Sequence, residues 1–500
     1  MQRGTIHSSC RMKNDRWLWT ILLAGAAVRT IGLGERSLSY DECQQYWASQ
    51  GSVLISNREI TLDPPGFAYL LHVHSLAGRS ETWLRLLPWI LGILAIAAAY
   101  RMTMAATSSP WMARASAFFI AFAPYAIRYS QSLRVYSQGM LCAAVLVTAF
   151  LESTDGEESQ GWKDASLLGL STFAALLSVY GSVWLVTTMG ILLVCRGLRA
   201  RGPAWWRTLI GLMAGAALAS PWYLRSLPVQ LTQGTPPSFY EDKFMPAALL
   251  PGLRFLARST WDLFSFFSFI HPGTGLLFGS LAVLGMVRLC RHRRGAALVI
   301  LFLGVLVSAA AASAFRLYPY GGTRQMLFTA PLFYVAGAAG IESLRHRFRG
   351  LPAAALLVAI AGGCGVFLYR YHTEPGGQDM RPVIRALEEA ARPEDRILVN
   401  KDALPQFRFY YHGEPARVVE GRESVIRDYL PEVNRLMATA PRSRWWLVFS
   451  HGWRSERRGE LAAVDPGFLA GQRIEAYRAA AYLYVPRAAE PTPARDGDSQ

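Results

Sequence analysis

The sequence predicts a polytopic α-helical membrane protein of about eleven transmembrane helices, with a small C-terminal α/β domain outside the membrane. Three features predict it. Of 500 residues, 52% are hydrophobic and only 17% charged, too long and too apolar a chain for one soluble core. The apolar residues gather into windows long enough, or nearly so, to cross a hydrocarbon layer as helices. From about Glu374 those windows give way to proline, charge and alternating patterns, as in a water-facing domain.

The windows run 17–34, 84–103, 112–127, 138–152, 165–180, 182–196, 207–223, 274–290, 296–315, 326–343 and 351–369. Basic residues orient them. Arg3, Arg11, Lys13 and Arg16 precede the first window, and Arg196, Arg199, Arg201 and Arg207 fill one short loop. Arg288, Arg291, Arg293 and Arg294 fill another, and Arg345, Arg347 and Arg349 a third. Short basic loops mark the cytoplasmic side. Alternation from a cytoplasmic N-terminus puts all of them there and leaves the C-terminal domain extracytoplasmic. The acidic loop 153–164 runs against this trend, although acids contribute little to orientation.

The basic start leads into an apolar run with no convincing small-residue cleavage site, which reads as a retained signal anchor. The net charge of +16 is thereby a topology signal with some attraction to anionic membrane lipids, not a sign of nucleic acid. Arginine and alanine abound beside only four lysines, a composition of GC-rich bacteria that points to a bacterial inner membrane. The six cysteines form neither a disulfide framework nor a metal-ligand spacing.

The expected division is a transmembrane part at 1–373 with long outer loops at 35–83 and 224–273, a C-terminal domain at 374–488, and a disordered tail at 489–500. Within the C-terminal domain, Arg381–Ala391 reads as a helix, and Arg396–Val399, Trp445–Phe449 and Ala481–Val485 read as strands. Outer loops of such length are usually functional or disordered, and these are apolar enough to lie on the membrane. The aromatic run from Trp261 to Phe269 reads as interfacial or re-entrant.

The candidate chemistry lies in the outer loops. Asp41 and Glu42 follow the first window closely, and because a charge in lipid is costly they face water, protein or a substrate. Adjacent carboxylates repel, which raises the pKa of one and favours acid–base behaviour; the plain alternative is a solvated loop. Asp63, before Pro64 and Pro65, reads first as a cap for the helix beginning at the prolines and second as a further acid of a site. Arg134 and Tyr136 sit at the outer end of a span, where a guanidinium either takes phosphate at two points or snorkels to head groups. Arg324, after two glycines that would let backbone approach a ligand, has the same two readings. Arg58 either reaches a phosphate or lies on the surface. Arg128 reads as a snorkeller, and Arg29, inside the first span, as a structural residue paired within the bundle. His72 and His74, two apart, point to different helix faces and make a poor metal pair.

The run Arg29…Gly32-Leu33-Gly34…Ser37-Leu38-Ser39-Tyr40-Asp41-Glu42 resembles the first-loop signature of GT-C glycosyltransferases. More narrowly, it resembles that of bacterial relatives of protein O-mannosyltransferases and of the lipid A aminoarabinose transferase. Asp63-Pro64-Pro65-Gly66-Phe67-Ala68-Tyr69 is similar to the family's proline-pair motif, and Tyr129-Ser130-Gln131-Ser132-Leu133-Arg134-Val135-Tyr136 to its Ser-Gln-x-x-Arg-x-Tyr segment. Tyr318-Pro319-Tyr320-Gly321-Gly322-Thr323-Arg324 resembles the outer loop before a late span. Tyr40, Cys43 and Ser132 depart from the pattern.

The resemblance implies transfer of a sugar, with inversion, from a polyprenyl-phosphate donor to a protein, lipid or polysaccharide acceptor on the extracytoplasmic face. A lipid phosphate leaves readily, so such an enzyme chiefly needs a base for the acceptor and cations for the departing charge. By resemblance the base is Asp41, with Glu42 orienting it or binding sugar or acceptor. No cofactor is predicted, although a divalent cation is compatible with the superfamily. The rival reading, a transporter or lipid flippase without glycosyl transfer, requires glycine-broken helices in both halves of an internal repeat, and the sequence has no such symmetry.

Overall fold

In the computed structural model the described residues are 15–61, 63–154, 161–199, 204–233, 241–268, 272–347, 351–374, 376–423, 426–451, 459, 461 and 464–487. The tail expected at 489–500 lies outside them. The chain forms two compact units, the first made of 1–34 and 48–373 and the second of 35–47 and 374–500.

The first unit is helical. Its helices are α1 (Arg16–Thr30), α3 (Val53–Ile60), α4 (Gly66–Ser75), α5 (Glu81–Thr107), α6 (Pro110–Phe122), α7 (Pro124–Ser130) and α8 (Tyr136–Ser153), with α2 (Tyr40–Ala48) belonging up to Trp47 to the second unit. There follow α9 (Trp162–Leu176), α10 (Ser182–Arg199), α11 (Ala204–Gln233), α12 (Leu249–Phe267), α13 (Pro272–Leu289), α14 (Arg293–Ala314), α15 (Ala330–Arg347) and α16 (Leu351–Thr373). Among the described residues, four segments are long and apolar enough to cross a membrane: Glu81–Thr107, Arg293–Ala314, Arg324–Arg347 and Ala354–Thr373. Of the aromatic run expected to be interfacial, Trp261 to Phe267 form the end of α12, and Phe269 lies outside the described residues.

Local sequence explains the helix ends. Asp15 accepts the backbone N–H groups of Trp17 and Leu18 at 3.1 and 3.3 Å and so caps α1. Ser80 caps α5 through Trp83 N–H, and Ser109 caps α6 through Met112 N–H ahead of Pro110 at its first turn. These are the expected N-cap chemistries. Arg29 is fully buried and donates to Ala121 O at 2.6 Å and Ile120 O at 2.7 Å. Its structural role is to satisfy the last carbonyls of α6, which Pro124 and the extended Ala123 leave without helical donors.

Small residues bring helices close. A Cβ at Gly285 would collide with Ala336 O, and one at Gly340 with Leu281 O, so α13 and α15 cross backbone to backbone. The same relation joins α9 and α11 at Gly211 and Gly215. Such crossings replace the hydrophobic driving force that is missing between helices in lipid. The chain is a multi-pass membrane protein.

The second unit holds a five-stranded sheet of order β2-β1-β3-β5-β4, from β1 (Arg396–Val399), β2 (Val418–Glu420), β3 (Trp445–Phe449), β4 (Phe468–Ala476) and β5 (Ala479–Pro486). β1 runs parallel to β2 and β3, whereas β5 is antiparallel to β3 and β4. Every residue of β3 is buried, as expected of a strand covered on both faces. Helix α17 (Met380–Ala390) packs against β4 and β5, α18 (Leu404–Tyr410) follows β1, and α19 (Ile426–Ala438) supplies Tyr429, Val433 and Met437 to the core beside Trp445 and Phe449.

Candidate functional site

The acid pair lies on a segment folded into the second unit. Leu38 is held on both backbone sides, its N–H donating to Tyr410 Oη at 2.5 Å and its carbonyl accepting from Gln406 Nε2 at 2.7 Å. Trp47 Nε1 donates to Pro405 O at 2.9 Å, and Arg381 donates to Glu35 O at 2.6 Å.

Ser39 and Glu42 form a capping box at the start of α2. Glu42 Oε2 accepts from Ser39 N–H at 2.9 Å, and Ser39 Oγ from Glu42 N–H at 3.4 Å. Glu42 is 4% exposed, and its carboxylate serves the helix start. Asp41, next to it, is half-buried. The two acids therefore differ in place from the outset.

Around Asp41 the fold collects groups from the carboxyl ends of parallel strands β1 and β3. Tyr40 stacks on His451 with ring centroids 4.4 Å apart. Gln378 Oε1 accepts from Tyr40 N–H at 2.7 Å, which leaves Gln378 Nε2 to donate to His451 Nδ1 at 3.0 Å. The amide orientation thus makes Nδ1 the acceptor of the imidazole. Burial pushes the Tyr40 phenol up to about 12, with Asp402 and Asp41 adding to the rise and the bond from Gln44 Nε2 at 2.8 Å opposing it. Burial also raises Asp402, while His451 and Lys401 pull it down. His451 has φ +54°, in the left-handed region that histidine visits more readily than most residues. Sequence reasoning missed Gln378, Asp402 and His451. Each is an isolated polar residue in its own stretch, and only the sheet topology joins them.

The remaining candidates belong to the first unit, and the fold brings four of them together. Arg134, 9% exposed, lies 3.6 Å from Asp63 Oδ2 and sits over the Tyr136 ring at 5.8 Å. Arg324 lies within electrostatic range of both Tyr136 and Tyr129. The rings of Tyr129 and Tyr136 meet at 4.7 Å, and Tyr125 stacks on Phe266 at 3.9 Å. Burial raises Tyr129 above the ordinary phenol value, so it stays a protonated donor at neutral pH. Arg58 lies in α3, and its side chain is outside the described residues.

Helix α4 begins after Pro65, which as N-cap residue supplies no side-chain cap, and the Asp63 carboxylate approaches Arg134. The glycines before Arg324 pack closely against α12. Gly321, at φ +116°, lies against Ser259, and a Cβ at Gly322 would press on Asp262 O of α12.

Between α3 and α11 lies a cavity of about 410 Å³, lined by Leu54, Ile55, Glu59, Trp222 and Arg225 among others. Among the described residues, no group of three His, Cys, Asp or Glu side chains is arranged to hold a metal ion. His72 Nδ1 bonds Ser49 O at 2.7 Å, and His74 Nε2 bonds Trp83 O at 2.7 Å, so each histidine is engaged separately.

No family model and no curated protein sequence matches the chain. Solved structures do. ArnT from Cupriavidus metallidurans bound to undecaprenyl phosphate is 14% identical, with 93% of this chain and 98% of that one covered at a TM-score of 0.57. The Archaeoglobus fulgidus oligosaccharyltransferase is 12% identical, with 91% of this chain and 73% of that one covered at 0.54. The arabinofuranosyltransferase AftD from Mycobacteria is 14% identical, with 94% of this chain and 41% of that one covered at 0.56. The fold is that of the GT-C glycosyltransferases.

Proposed function

We propose that this protein is a GT-C glycosyltransferase that moves a sugar, with inversion, from a polyprenyl-phosphate donor to an acceptor on the extracytoplasmic face of a bacterial inner membrane. The observation that carries this reading is the convergence of Arg134, Arg324, Asp63 and Tyr136 in the first unit. Two guanidiniums suit a phosphate anion, and the Asp63 carboxylate fixes the direction of Arg134. The ArnT relative bound to undecaprenyl phosphate supports a lipid-phosphate donor, and the apolar walls of the cavity beside α3 suit a prenyl chain.

In this reading Arg134 and Arg324 stabilise the charge that develops on the departing lipid phosphate. Asp41 takes the proton of the acceptor nucleophile as the sugar–phosphate bond breaks and the new glycosidic bond forms. Glu42 holds the start of α2, and through it Asp41. About eleven spans, a cytoplasmic N-terminus and an extracytoplasmic 374–488 complete the reading. Acceptors of the protein, lipid and polysaccharide classes all supply the hydroxyl or amine it needs.

The test is transfer from a synthetic polyprenyl-phospho-sugar by the purified protein, set against solute or lipid movement in vesicles. Donor consumption that falls about 10² to 10⁴-fold in Asp41→Asn supports the base assignment. Unimpaired transfer by that variant removes Asp41 from the chemistry. Transport without donor consumption replaces the enzyme with a transporter.

A further inference from the structure

Close to the Asp63–Arg134 pair, the first unit buries uncharged polar groups that the chain leaves unused. Gln138 is 7% exposed, Ser182 0% and Thr323 8%. Yet Gln138 Oε1, Ser182 Oγ and Thr323 Oγ1 have no hydrogen-bond partner among the described residues, and neither has the buried Trp184 Nε1. Buried polar groups nearly always find partners, because an unsatisfied one is destabilising. The segments that carry these groups interlock. Gln138 opens α8 four residues after Arg134. Gly66, whose N–H donates to Leu177 O at 2.8 Å, packs so close that a Cβ there would stand 3.2 Å from Gln138 Nε2. Leu177 to Gly181 join α9 to α10, which begins at Ser182. A Cβ at Gly181 would in turn meet Tyr318 Oη at 2.6 Å, and the Tyr318 ring lies 5.8 Å from that of Trp184. The Tyr318 hydroxyl donates to Gln325 O at 2.7 Å, which ties α10 to the loop carrying Thr323 and Arg324. Asp63 and Arg134, 3.6 Å apart, precede Gly66 and Gln138 in their own segments.

We propose that Gln138, Ser182, Trp184 and Thr323 hold the hydroxyl groups of the sugar being transferred, as the specificity-determining residues of the donor site. The inference rests on the glycosyl-transfer reading and adds the class of sugar to it. The transferred sugar is joined to the lipid phosphate through one oxygen, so its ring falls beside whatever holds that phosphate. An amide oxygen accepts, an indole N–H donates and a hydroxyl does both, the mixture that a ring of neutral hydroxyls requires. None of the four side chains carries a charge. They therefore fit a neutral sugar, since a buried amino or carboxylate group needs a counter-charge. A site built to bond hydroxyls rejects an analogue lacking one, because its own polar groups are then left unpaired.

The test uses the full-length protein in lipid nanodiscs with synthetic polyprenyl phosphate, bare or carrying glucose, mannose or arabinose. Deoxy and aminodeoxy analogues of each sugar complete the set. Gln138→Met and Thr323→Val keep shape while removing the polar atoms, and Ser182→Ala removes the hydroxyl alone. Without ligand these variants should melt at or above wild type, because the groups they lose are unsatisfied. Each should bind bare polyprenyl phosphate as the wild type does and lose about tenfold in kcat/KM for the preferred neutral donor. With one of the deoxy donors a given variant should lose nothing further, a coupling that a merely structural role would not produce. A variant that weakens bare and sugar-bearing lipid equally overturns the proposal, as does a wild-type preference for an aminodeoxy donor. If the wild type consumes no donor, the glycosyl-transfer reading fails by itself. Tighter binding of a sugar-bearing lipid than of the bare one, lost in the variants, would then still support the subsite, and equal binding would overturn it.

Discussion

Tyr40 lies on His451 with planes 25° apart and centroids 4.4 Å apart, and Gln378 bonds both residues. The residue immediately before Asp41 is thereby fixed to the end of strand β3. A carboxylate acting as a base must be held in place to well under an ångström, and this stack provides that restraint at the first residue of α2. His451→Ala removes both the ring contact and the bond from Gln378, and should lower the transfer rate about ten- to a hundredfold. His451→Phe keeps a ring and should fall between that variant and the wild type. A wild-type rate in His451→Ala would detach the stack from catalysis.

Glu42 offers a sharp contrast with its neighbour. In a capping box glutamine serves as well as glutamate, so Glu42→Gln should keep both melting temperature and transfer rate near wild type. Glu42→Ala should lose about 0.5–2 kcal/mol of stability, the usual cost of a lost cap, with some loss of rate through misplacement of Asp41. Melting curves and initial rates for the two variants decide the matter. A rate collapse in Glu42→Gln with an unchanged melting temperature would mean that its charge takes part in the chemistry.

Asp402 gives the second unit a pH signature. Burial raises its folded pKa above the ordinary 3.8, and Asp379 is shifted the same way for the same reason. Between the unfolded and folded values the folded chain binds more protons, so stability falls as pH rises. Their contribution is fully present below 3.8 and is lost as pH climbs through the raised folded values. Asp15, lowered by Arg114 and Tyr100 against the effect of burial, has the opposite sign, so the informative quantity is the difference between variant and wild type. Asp402→Asn should melt higher than wild type at neutral pH, and the gap should close toward about pH 4. A gap independent of pH would show that the aspartate is not desolvated in the folded protein.

Much of this was legible in the sequence, because helices in lipid and strands in a covered sheet leave periodic, apolar traces. Each apolar window falls largely on helix, although 112–127 is broken at Ala123 into α6 and α7 and 326–343 begins in a 3-10 turn. Arg396–Val399 and Trp445–Phe449 are strands with the bounds read from the sequence pattern. The clustering of Asp63, Arg134, Tyr136 and Arg324 was reachable through motif order alone. Two kinds of information were not. Asp63 read first as a cap and second as an acid of a site, and only the fold brings it to Arg134. The attachment of 35–47 to the second unit rests on pairs such as Leu38 with Gln406, hundreds of residues apart, for which no local pattern exists.

Gly340 tests the helix packing that holds the first unit together. It lies where α15 meets the backbone of α13 at Leu281 O, and Gly285 meets Ala336 O from the other side. Gly340→Ala would force the two backbones apart, with an overpacking cost of about 1–3 kcal/mol, and Gly340→Leu should prevent stable folding. Gly362, with nothing within 4 Å of a built Cβ, should accept alanine with little change and serves as the control. The measurement is thermal melting in detergent. Replacing glycine in a helix by alanine also gains intrinsic helix propensity, roughly 1 kcal/mol, at both sites. Gly340→Ala must therefore overcome that gain, and a melting temperature at or above wild type would mean that the α13–α15 crossing is looser than backbone contact.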